Sequence, residues 1–104
     1  MSNNDLIQFL KLNHFVACAE HSLPEMGMNS QVDAFSNDKI LLRIVVDRGQ
    51  RFIDLANPAT VVWVDIFKLA SMVDLEFHPK TGSFGEAVRV LTTYWTGLAV
   101  LELP

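Results

Sequence analysis

Few side chains in this 104-residue chain could attack, transfer a proton or hold a metal. There are three histidines, His14, His21 and His78, and one cysteine, Cys18. His14 and His21 are seven positions apart. On one helix they share a face but stand about 10 Å apart along the axis, too far to bind one ion together. Zinc takes three or four ligands, and no such set is visible in the spacing. Cys18 has His14 and His21 about one turn away, the start of a thiol nucleophile. Its neighbours Val16, Ala17 and Ala19 suit a small buried hydrophobe better than a thiolate. Asp47 and Asp54 flank a turn and could form an acid–base pair, but Arg43, Arg48 and Arg51 lie beside them and favour cross-strand ion pairs. Gly82-Ser83-Phe84-Gly85 has the spacing of neither a phosphate loop nor a nucleophile elbow. The expectation is a chain with no catalytic residues, no metal and no cofactor.

Composition agrees with a binding protein. Half the residues are hydrophobic and 19% are charged, which suits one folded domain spanning residues 1–104. Twelve acids against eight Lys and Arg leave a net charge of −4, and the basic residues are scattered. Direct nucleic-acid binding needs a basic face, so it is not expected. No apolar run approaches the roughly 20 residues that span a bilayer. The start, Met1-Ser2-Asn3-Asn4-Asp5, lacks the basic region and apolar block of a signal peptide. With a single cysteine, no intramolecular disulfide can form, and a cytoplasmic location is the default.

The elements that must position these residues read as α+β. Asp5 to Glu20 carries Leu6, Phe9, Leu10, Val16 and Ala17 on one side of a helix, and Pro24 and Gly27 then break the chain. Gln31 to Phe35, Lys39 to Asp47 and Arg51 to Leu55 form an antiparallel three-stranded meander, four-stranded if Val61 to Val64 is extended and joins it. Arg48-Gly49-Gln50 is the tight reversal, with Gly49 at positive φ. Both faces of Lys39 to Asp47 are largely apolar, as in a strand covered on two sides. Asp65 caps a middle helix whose inward arc is Ile66, Leu69, Ala70, Met72 and Val73, with Phe67 pointing away. Ser83 and Glu86 have the spacing of a capping box for a terminal helix. There Phe84, Ala87, Val88, Val90, Leu91, Tyr94, Trp95 and Leu98 face inward, and Glu86 and Arg89 face outward. Gly97 could end that helix, leaving Leu98 to Leu103 extended. Met26 and Met28, around Gly27, are open between a partner surface and the core. Trp63 is likewise open between core and interface.

Arg43-Ile44-Val45-Val46-Asp47-Arg48-Gly49-Gln50-Arg51-Phe52-Ile53-Asp54-Leu55 resembles a hairpin of small bacterial immunity proteins. Trp63-Val64-Asp65-Ile66 then opens a short helix, and a terminal amphipathic helix begins at Glu86, in the same order as in those proteins. The likeness runs over roughly Ile40 to Leu101. It implies an immunity protein of a contact-dependent growth inhibition or related polymorphic toxin system. Such a protein binds a cognate toxin domain, commonly a nuclease with a basic substrate surface, and blocks its active site or its access to substrate. Charge complementarity would speed that association. Acids expected at the surface are therefore the candidate partner-binding residues: Asp33, Asp38, Asp47, Asp54, Asp74 and Glu76, with Trp63 as an aromatic anchor. A small adaptor or regulatory subunit of another bacterial complex is the alternative. A small-ligand binder or enzyme built around Asn13 and His14 ranks third.

Overall fold

β-branched residues and a two-residue reversal set up the centre of the molecule. The computed structural model describes residues 3–26 and 30–104. Three seven-residue strands, β3 (Ser30–Ser36), β4 (Leu41–Asp47) and β5 (Gln50–Ala56), pair antiparallel in full register. Arg48 at φ 52° and Gly49 at φ 81° form the turn between β4 and β5, and Asp47 pairs with Gln50 across it. Two successive left-handed residues match the twist of the flanking strands.

The sheet is wider than the expected meander of three or four strands. On one side β5 pairs with the short β6 (Val64–Asp65), so the segment that begins at Val61 does end extended. On the other, β1 (Val16–Ala17) and β2 (Leu23–Met26) share the outer edge of β3. Among the described residues, six strands thus occupy five positions across the sheet. Pro24, expected to break the chain, lies in β2, where an edge strand tolerates the missing N–H. The expectation for Met26 and Met28 falls on side chains outside the described residues.

The first helix ends sooner than its apolar pattern suggests. α1 (Asn3–Leu12) stops where His14 takes φ 63°. The His14 N–H donates to the Lys11 carbonyl at 3.2 Å and the Phe15 N–H to Leu10 at 2.9 Å, the paired bonds of a Schellman ending. The Asn13 side chain donates to the Phe9 carbonyl at 2.9 Å. Phe15 is thereby turned inward and buried, and stacks near Phe9 with Trp95 on edge against both. Beyond Phe15 the segment expected as helix to Glu20 instead forms β1 and enters a short 3₁₀ turn (Ala19–His21).

α2 (Ile66–Val73) is capped by Asp65, whose carboxylate accepts the Phe67 N–H. It buries Ile66, Leu69 and Ala70 and packs Val73 on the core as expected, but Met72 is 52% exposed and Phe67, expected to point away, also packs on the core. The terminal helix is two helices. α3 (Phe84–Thr93) and α4 (Trp95–Leu98) are separated at Tyr94, where the backbone reaches φ −99° and ψ 8°. Tyr94 meets Phe77 edge-on and donates its hydroxyl to Asp74 at 3.3 Å. The break directs Trp95 onto Phe9 and Phe15. Past Leu98 the chain forms no strand.

Alternation places Leu42, Ile44, Ile53, Leu55, Phe35 and Val64 on one face of the sheet, and all belong to the core shared with the helices. Among the described residues, no helix is long and apolar enough to cross a membrane.

Candidate functional site

The face of the sheet opposite the helices carries the most distinctive surface. Register aligns Leu23, Val32, Val45 and Phe52 across β2, β3, β4 and β5. Leu23 is 61% exposed and Phe52 40%, with Val32 and Val45 partly exposed between them. This is a continuous apolar row at the exposed end of that face; toward its other end Ala34, Leu41 and Ala56, on the same face, are buried. β4 is apolar on both faces, as its sequence indicated, but among the described residues helices cover only one of them.

A polar row runs beside it. Arg43 on β4 faces Asp54 on β5, and its Nε donates to the Asp54 carboxylate at 2.8 Å. The same guanidinium lies over the Trp63 ring, 4.5 Å from its centroid. His21 approaches that indole at 6.3 Å, nearly perpendicular. Trp63 is half-buried and sits just before β6, where Val64 faces the core and Asp65 pairs with Asp54. Desolvation raises the Asp65 carboxyl above its usual range; the Phe67 N–H it accepts opposes this, and the Asp54 charge adds to it.

The seven expected partner-binding residues do not form one patch. Asp47, Asp54 and Trp63 share the open face, with Asp47 exposed at the hairpin end and separated from Asp54 by the Val45–Phe52 row. Asp33 pairs with Ile44 and therefore lies on the helix side. There it accepts from Gln31 at 2.9 Å and borders a groove of about 240 Å³ between α1, the sheet and Phe84. Asp38 is exposed in the β3–β4 turn, at φ 72°. Asp74 ends α2, accepting the Glu76 N–H and the Tyr94 hydroxyl, and Glu76 is exposed beside it.

Two arrangements escaped the sequence reading. The apolar row needs the strand register, which the Arg48-Gly49 turn does specify for Val45 and Phe52. The second is a cluster at the 3₁₀ turn: Cys18 Sγ, a Glu20 carboxylate oxygen and a His21 ring nitrogen all lie within 4.8 Å of one another. Read as helix, Cys18 and Glu20 would point about 200° apart, which hid the grouping. It also replaces the pairing of His14 with His21, because α1 ends before either residue.

No family model, curated protein or solved structure was found to match the chain.

Proposed function

We propose that this chain is a stoichiometric inhibitor that binds a protein partner through the open face of its sheet. The observation that carries the reading is the Leu23–Val32–Val45–Phe52 row, flanked by Trp63, Arg43 and Asp54. An exposed apolar strip edged by polar groups is the usual anatomy of a protein interface, and Phe, Trp and Arg are enriched at such centres. The flat sheet presents area rather than a deep cleft, which suits a macromolecule better than a small ligand.

The partner we propose is a cognate bacterial toxin domain in the cytoplasm, in keeping with the hairpin resemblance. A nuclease with a basic substrate surface would meet Asp47 at the exposed hairpin end, and the net charge of −4 would favour its approach. Docking there would cover the toxin's active site or the route to it.

The test is to mix the purified chain with the toxin domain encoded by the neighbouring gene. A one-to-one complex with loss of toxin activity is the expected result. A chain that leaves that toxin active, and instead self-associates through Phe52, would replace this reading with the adaptor one.

A further inference from the structure

We infer that Cys18, Glu20 and His21 form a binding site for a divalent cation of the zinc class. The inference rests on the chain alone and is independent of the docking reading.

The donor chemistry is specific. A thiolate, an imidazole and a carboxylate are the three ligand types that zinc accepts, whereas calcium and magnesium prefer all-oxygen sets. Spacing is close to what coordination needs. Metal–ligand bonds of about 2.0–2.3 Å around a tetrahedral ion put ligand atoms roughly 3.3–3.8 Å apart. The three donor atoms already stand within 4.8 Å, and His21 Nε2 is 4.0 Å from Glu20 Oε1. The Glu20 side chain, 82% exposed, has open solvent around it in which to move closer.

The turn that carries the donors is anchored. Cys18 donates its N–H to the Ala34 carbonyl at 2.8 Å. Ser22 bridges back, donating its hydroxyl to the Cys18 carbonyl and accepting the Ala34 N–H. The 3₁₀ turn is closed by the His21 N–H on the Cys18 carbonyl. The His21 ring lies edge-on to Trp63, with centroids 6.3 Å apart. Cys18 is only partly buried. Three protein ligands leave a fourth position for water. The ion would staple the 3₁₀ turn at the rim of the open face, beside Trp63.

Cobalt titration of the full chain under reducing conditions reads this directly. The expected result is one ion per chain, the visible bands of tetrahedral cobalt, a thiolate-to-cobalt charge-transfer band, and displacement by zinc. Cys18→Ser should abolish the charge-transfer band, and both it and His21→Ala should weaken zinc binding by more than about tenfold. His14→Ala and His78→Ala should bind as the parent does. Circular-dichroism melts of each variant separate lost ligation from lost folding. No charge-transfer band in the parent chain, or unchanged zinc affinity in the Cys18→Ser, His21→Ala double variant, would overturn the inference.

Discussion

Glu86 shows how one side chain can be read correctly in its spacing and wrongly in its surroundings. Ser83 does accept the Glu86 N–H at 3.2 Å, so half of the expected capping box is present. The Glu86 carboxylate does not return the bond. It accepts the Lys80 N–H at 2.7 Å and pairs with Arg89, and the residue is buried rather than on the outer half of the helix. Arg89 first, and then the Lys80 N–H, hold the carboxyl at about 2, against an ordinary 4.5. A depressed value in the fold means that the stabilisation is complete above pH 4.5 and is lost as pH falls toward 2. The parent chain should therefore lose melting temperature across that window faster than Glu86→Gln, and parallel curves would contradict the assignment. His14 makes a second residue-scale point. Nothing about its type announces a left-handed helix ending, since glycine usually fills that position. His14→Gly should raise stability by roughly 0.5–1 kcal/mol in denaturant unfolding, as the Cβ strain is relieved at some entropic cost.

At the scale of elements, the sequence carried the hairpin, the Asp65 cap and the helical phase of Ala87 to Leu91, because each is decided by neighbours in the chain. The misread boundaries depend on distant partners. α1 stops at Leu12 so that Phe15 can join Phe9 and Trp95, and the terminal helix breaks so that Tyr94 can reach Phe77 and Asp74. The break also brings α4 against α2. A Cβ built on Gly97 would stand 2.5 Å from Val73 Cγ1, closer than real contacts allow. Gly97 is thus required for close approach rather than for turning the chain. Gly97→Ala should destabilise by about 1–3 kcal/mol, the usual penalty for overpacking. Combining it with Val73→Ala should cost less than the sum of the two single changes, because the second makes room for the first. Strict additivity in that double-mutant cycle would show that the two helices do not meet there.

Across the whole molecule, the organising feature is asymmetry. Helices bury one face of the sheet, while the other presents the Leu23–Val32–Val45–Phe52 row and the Arg43–Asp54–Trp63 group beside an end where Ala34, Leu41 and Ala56 are buried. The α+β class was legible from the alternation of β4 and the amphipathic helices, but the open face was not. An apolar residue that packs and one that waits for a partner look the same in a sequence. The fold does not gather the expected acidic residues, since Asp33 and Asp54 fall on opposite faces and Asp74 is engaged with Tyr94. The central claim is that binding runs through the open face. Its most direct test is the affinity of Phe52→Asp for the proposed toxin partner, measured beside Met72→Asp on the helix layer. Phe52 is 40% exposed, so the charge should be tolerated by the fold. The account predicts that Phe52→Asp weakens binding by about thirtyfold or more, the loss typical of an interface centre, with an unchanged melt, and that Met72→Asp binds as the parent does. Equal affinity for the parent chain and Phe52→Asp would contradict it.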